Sequence, residues 1–234
     1  MTISKCVYCG ERDGTEKEHA VGRLFFPKPR PDNLVTVPAC RECNRGVSKD
    51  EEYVRAVLLT LMDTEEASAA IRLRAEELRR SFEREEGKPL ANLILSSVQW
   101  VNVESPAGIM LPNKVPLIGA DTDRMYRVFI KIVMGLYYAW KRERLPSDYE
   151  VLVYLPGVGE PLQDVLPQAV RFVAEKGVLH EIGDGNSFVY WVRHGEELPD
   201  QSYWLMSFYR AIPILAATRR QEATTRGHWG VRES

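Results

Sequence analysis

CVYCGERDGTEKEHAVGRLFFPKPRPDNLVTVPACRECNRGVSK, residues 6–49, holds every cysteine of the chain, in two CxxC pairs, Cys6/Cys9 and Cys40/Cys43. A CxxC turn lets two thiolates reach one ion, and two such turns complete the tetrahedral four-sulfur shell that Zn2+ prefers. The spacer between the pairs is longer than that of an ordinary zinc ribbon, so a small structure is inserted between the knuckles. Two disulfides are the competing reading. They require an oxidising compartment, and MTISKCVYC has no apolar stretch that reads as a secretory signal. Structural zinc and a cytoplasmic location are therefore the expectation.

Between the knuckles, Gly10 to Gly22 reads as a turn followed by a short strand ending near His19, and FFPKPRPDN as a Pro-rich loop. Leu34–Val37 reads as a second strand, closed by Pro38. The second knuckle, ACRECN, runs into a short helix broken at Gly46. Ser48 and Glu51 then have the spacing of a capping box at the start of a helix carrying Tyr53, Val54, Val57, Leu58, Leu61 and Met62. The order is hairpin, knuckle, helix.

Glu18, His19, Asn33 and Asn44 fall inside this frame. Phosphodiester hydrolysis needs a base to take a proton from water and a cation to hold the charge that develops on phosphorus and the leaving oxygen. Neutral histidine is a natural base near neutrality. A carboxylate and an amide carbonyl are hard oxygen ligands suited to Mg2+ or Mn2+. Singly, each residue also has a plain structural reading: Asn33 as a turn residue, Asn44 as a helix cap, Glu18 as one acid among 33. Their joint occurrence in this order favours a site.

Residues 6–49 resemble the HNH (ββα-metal) endonucleases in their zinc-knuckle form. The resemblance implies His19 as general base, Glu18 and Asn44 as ligands of a catalytic Mg2+ or Mn2+, and Asn33 as the residue that braces the loop and orients the base. It also implies products with 5′-phosphate and 3′-hydroxyl ends. Many members have histidine at the position of Asn44, so the chain looks like an H-N-N variant. Gly22 departs from the proline common there. Arg23, Lys28, Arg30, Arg41, Arg45 and Lys49 surround the proposed site and are candidate phosphate contacts, or ordinary surface charge.

The remainder reads as an α+β domain with an antiparallel sheet, dividing the chain into 1–63 (zinc-knuckle module), 64–218 (larger domain, for target or partner recognition) and 219–234 (polar tail). Residues 65–86 read as a charged helix with a solvated face, ended by Gly87 and Pro89. Val98–Val103 and Ile109–Leu111 read as a hairpin, and 122–143 as the buried spine helix, its apolar run interrupted by Lys131. Tyr149–Leu155 reads as a strand, 160–175 as a helix, and Val178–Ile182 with Phe188–Val192 as a hairpin. Tyr203–Leu215 reads as one strand bent at Pro213. His180, His194 and His228 are taken as structural, and Trp191, Trp204, Phe208 and Tyr209 as sheet core.

The net charge of −2 does not advertise nucleic-acid binding by the whole chain, although residues 1–50 carry +2. No run approaches a membrane span. The functional expectation is a DNA endonuclease in a defence or phage-related setting, with RNA a less favoured substrate, and with a second copy or a protein partner engaging the C-terminal domain. The alternatives are an inactive zinc-knuckle binding module for nucleic acid or protein, and a purely structural zinc ribbon.

Overall fold

Short β-branched and aromatic stretches punctuated by turn residues alternate with amphipathic helical stretches, and the resulting chain is mixed α+β. The computed structural model describes residues 4–62, 69–102, 104, 110, 114–155, 166–183, 185–195, 201–210 and 212–221. The first strands, β1 (Glu16–His19) and β2 (Thr36–Ala39), pair antiparallel with His19 opposite Thr36 and Glu18 opposite Val37. A single 3-10 turn, Arg23–Phe25, lies in the connection. The second strand runs two residues beyond its expected end and passes through Pro38, which a two-stranded ribbon tolerates because each strand has a free edge.

Two helices follow almost without interruption: α1 (Arg41–Gly46) and α2 (Ser48–Met62), joined at Val47. The expected capping box does not form. Ser48 is already helical, the Glu51 amide donates to the Val47 carbonyl, and the Glu51 carboxylate turns instead toward Lys131. Tyr53, Val54, Ala56, Val57, Leu58 and Leu59 form the buried face of α2. The charged helix is α3 (Ala69–Phe82), with Ile71 and Leu78 buried; residues 65–68 of the expected helix lie outside the described residues. Gly87 and Pro89 end one helix but also open another, α4 (Lys88–Ser96), in whose first turn proline's missing N–H has no partner to lose.

β3 (Val98–Val101) pairs with β4 (Val115–Ile118), farther along than the expected 109–111, of which Met110 makes one antiparallel bridge to Glu104; residues 105–109, with the turn read at Ser105–Gly108, lie outside the described residues. The spine helix is α5 (Thr122–Lys141), capped by the Asp121 carboxylate and ended by Arg142 in the left-handed region. Asp50 of α2 ties the two helices together, accepting from Arg124 at 2.7 Å and Arg127 at 2.8 Å. The five-stranded antiparallel sheet has the order β5-β9-β8-β7-β6, built from β5 (Tyr149–Tyr154), β6 (Val178–Ile182), β7 (Phe188–His194), β8 (Ser202–Phe208) and β9 (Ile212–Arg220). Between β5 and β6, α6 (Leu166–Lys176) packs through Val173 on Leu205 and Leu215. Residues 160–165 of its expected span are not described.

Two readings of the C-terminal part are corrected. Tyr203–Leu215 is not one bent strand: β8 and β9 are two strands of a hairpin, turned at Tyr209 (φ 53°) and Arg210 (φ 56°). These residues give no glycine or asparagine signal. Their strained backbone is held by tertiary contacts, the Tyr209 hydroxyl donating to the Phe25 carbonyl and Arg210 Nε to the Gly185 carbonyl. The tail does not begin at Arg219, because β9 continues through Arg220, with Arg219 paired to Glu150 and Arg220 to Asp148. Trp204 and Phe208 are fully buried in the sheet and Tyr209 nearly so. His180 stacks on Tyr190 and His194 packs on Trp140; His228 lies outside the described residues.

One hydrophobic cluster joins Val7, Phe25, Phe26 and Val37 of the knuckle segment to Val54 and Leu58 of α2, Phe129 and Ile132 of α5, and Phe188, Trp204 and Phe208 of the sheet. The boundary read at 63/64 falls among residues that are not described, and the core runs across it.

Candidate functional site

The four cysteine sulfurs all lie within 4.8 Å of one another, and all four cysteines are free of disulfides. Tetrahedral zinc with Zn–S near 2.3 Å sets its sulfurs about 3.8 Å apart, and the Cys9 and Cys40 sulfurs stand 4.0 Å apart. The set is compatible with structural zinc. Arg12 donates to the Cys40 sulfur at 3.6 Å, a cation suited to the net negative charge of a four-thiolate centre. The Arg12 backbone N–H holds the Cys9 thiol down at about 6, whereas burial pushes Cys43 up. A bound metal, which requires every sulfur as thiolate, would override that difference.

From this cluster β1 leads to Glu18 and His19, and α1, beginning directly at Cys40, presents Asn44. These three side chains line one cleft of about 620 Å³, together with Gly22, Arg23, Lys28, Arg30, Ser48 and Glu51. The spacing in sequence thus translates into proximity. His19 is half-buried, its Nδ1 without a hydrogen-bond partner among the described residues, and burial with the nearby Arg23 charge lowers its pKa below the ordinary imidazole value. The Asn44 amide nitrogen donates to Glu16 at 2.6 Å, which commits the nitrogen and leaves the oxygen as the atom that could ligate a cation.

Asn33 is placed elsewhere. It is exposed and spans to the β6–β7 turn, donating to the Glu181 carbonyl at 3.3 Å and accepting from the Gly183 amide at 2.8 Å. It braces its loop against the sheet, and it is not among the residues lining the cleft. Of the candidate phosphate contacts, Arg23, Lys28 and Arg30 line the cleft; Arg41, Arg45 and Lys49 are exposed residues outside its lining.

Sequence reading missed the residue that dominates the electrostatics. Lys131, only 5% exposed on α5, extends its ammonium onto Glu18 and onto Glu51 at 2.9 Å, with the Tyr8 ring 5.7 Å away. A buried lysine needs such anionic partners. Burial works against the Lys131 charge, but Glu51 and Glu18 more than offset it and hold its pKa above the usual lysine value. For Glu18, burial outweighs Lys131 and raises the carboxyl. The two directions agree if the ammonium is permanent and the surplus negative charge of two carboxylates is what the burial penalises. The available signal was Lys131 itself, a charge inside the most apolar helix.

Gly22 has a local reason. A Cβ there would come within 2.7 Å of the Glu51 carboxylate, so the carboxylate that holds Lys131 occupies the space a side chain would need. Gly135, one turn beyond Lys131, lets α5 close on Ala20, where a Cβ would meet the Ala20 methyl at 2.8 Å. This close approach sets Lys131 against Glu18.

The donor set of Glu18, Glu51 and Asn44 consists of hard oxygens suited to a divalent cation, and it already attracts one cationic group, the Lys131 ammonium. Compared with known protein families, with characterised proteins and with solved structures, the chain matches none. No helix among the described residues is long and apolar enough to cross a membrane.

Proposed function

We propose that residues 6–49 form a metal-dependent endonuclease site of the HNH type that hydrolyses phosphodiester bonds in DNA. The observation carrying this reading is the cleft in which Glu18, His19 and Asn44 meet directly beside the four-cysteine cluster. His19 accepts the proton of the attacking water, and its lowered pKa keeps the imidazole neutral, and so open to that proton, near pH 7. Glu18 and Asn44 hold Mg2+ or Mn2+, which when bound supplies positive charge to the phosphoryl oxygens and the leaving oxygen. Arg23, Lys28 and Arg30 contribute positive charge at the cleft mouth for the phosphate backbone. Zinc at the cysteines clamps β1 to α1 and so fixes His19 relative to Asn44. Cutting both strands of a duplex calls for a second copy of the chain or a second visit.

A second reading has its own observation. Lys131 on Glu18 neutralises a ligand that the catalytic metal would require, as expected of a zinc-knuckle binding module without hydrolytic activity. Plasmid cleavage by the zinc-loaded protein in Mg2+, Mn2+ or EDTA, with His19→Ala alongside, separates the two. The nuclease reading expects divalent-dependent nicking that falls by about 10²–10⁴-fold in His19→Ala. Intact supercoiled, linear and single-stranded DNA under all conditions would favour the binding module.

A further inference from the structure

Beside the cleft, and sharing Lys28 and Arg30 with it, lies a second cavity of about 370 Å³. Arg55 of α2, Arg74 and Arg80 of α3, and Arg84 just beyond α3 complete a lining of six cationic side chains with one lining carboxylate, Glu77; Arg80 also pairs with Glu76 at 2.8 Å. Part of this cationic lining is built into the fold rather than scattered on its surface. Arg74 is 6% exposed, anchored through Nη1 to Glu77 at 2.5 Å and through Nη2 to the Leu24 carbonyl at 2.9 Å. Its Nε is buried with no partner among the described residues, and so is that of Arg55. A buried guanidinium donor without an acceptor costs free energy, and cationic side chains converging on one cavity also repel one another. Burial, and for Arg30 and Arg55 the neighbouring Arg74 charge as well, depresses the pKa of both. A tetrahedral oxyanion relieves both costs, because its oxygens match the guanidinium fork and its charge cancels the field.

We infer that this cavity binds a phosphate group, and that the group is a backbone phosphate of the nucleic-acid strand lying across the Glu18–His19–Asn44 cleft. The assignment to a nucleic-acid backbone rests on the proposed nuclease reading; the phosphate chemistry of the cavity does not. The charged helix α3 is then not merely a solvated face, since its Arg74 and Arg80, with Arg84 beyond its end, form one wall of the site.

The test uses the full zinc-loaded chain with two probes, with no Mg2+ or Mn2+ added so that nothing is cleaved, and with circular dichroism to confirm folding. Inorganic pyrophosphate is titrated calorimetrically at fixed ionic strength, and a fluorescent single-stranded oligonucleotide by anisotropy. Arg55→Gln removes a buried donor; Arg84→Gln, at an exposed position, guards against a folding defect. Each is expected to weaken pyrophosphate binding by about tenfold or more. Each should also weaken oligonucleotide binding and reduce its salt dependence by about one phosphate contact. Arg171→Gln, on α6 and outside both cavities, should leave both affinities unchanged; plasmid cleavage in Mg2+ reads the nuclease proposal separately, so its failure and that of the cavity are told apart. Wild type that binds pyrophosphate no better than sodium chloride at matched ionic strength overturns the phosphate site. Loss of pyrophosphate binding with oligonucleotide affinity intact overturns the nucleic-acid assignment and leaves a site for a small free phosphate compound.

Discussion

The β1–β2 hairpin and the five-stranded sheet are both antiparallel, yet they are held by different forces. The sheet places Trp204, Phe188, Phe208 and Met206 in a dry interior, with ring pairs such as Phe188–Phe208 at 4.8 Å, and apolar burial accounts for its order. The hairpin has four residues per strand, and three of those in β1, Glu16, Lys17 and Glu18, are charged, with Lys17 exposed and Glu18 buried. Two short strands are marginal in water alone. This ribbon is tied at one end by the cysteine cluster and on its inner face by Lys131 between Glu18 and Glu51. A cysteine cluster suited to zinc and a buried charge network stand in the small element where aromatic packing stands in the large one, and they leave polar side chains lining the cleft.

The sharpest way to break the comparison is to remove the metal. Cys40→Ser is expected to lose zinc, measured by metal analysis. It should also lower the melting temperature by roughly 10 °C or more, since zinc binding is folding free energy and the knuckle shares its core with the sheet. A variant melting in two steps, with the sheet transition unchanged, would show that the two regions are energetically separate.

On the sheet side, Trp204→Ala should destabilise by about 3–5 kcal/mol in denaturant titration. It should retain zinc, and its cost should be the same across neutral and mildly acidic pH. Its counterpart on the hairpin side is Lys131→Met, expected to cost about 3 kcal/mol near neutrality because two buried carboxylates lose their cation. The Lys131 contribution is present below the ordinary lysine value of 10.5 and is lost only as pH rises through its higher folded value. In the variant the carboxylates are relieved by protonation. The penalty should therefore shrink as pH is lowered from about 8 to about 5, opposite to ordinary acid destabilisation. A pH-independent penalty would mean that Lys131 acts there through packing alone.

The cysteine spacing, the order of strand, strand and helix, and the meeting of Glu18, His19 and Asn44 were legible because each follows from local chain geometry. A CxxC turn brings its own sulfurs together, and a strand ending at His19 facing a helix that starts at Cys40 leaves few arrangements open. The amphipathic periodicity of α5 and the hairpin of Val178–Ile182 with Phe188–Val192 were legible for the same reason. Other features were not. The left-handed turn at Tyr209 and Arg210 carries no residue that prefers it and exists because Phe25 and Gly185 offer acceptors from elsewhere in the chain. Asn33 reads as a turn residue near the base, yet its partners are about 150 positions away. Glu51 reads as a cap, but its partner is a lysine 80 residues on.

The sequence alone therefore determined the local elements and which polar side chains they bring toward one cleft, since propensity and covalent spacing act over a few residues. Only the tertiary structure decided the charge state and company of those side chains: that Lys131 closes on Glu18, that Glu51 excludes a side chain at Gly22, and that arginines of α2 and α3 converge on one cavity. Electrostatic energies depend on distance and burial rather than on position in the chain, and both are set only when the core closes.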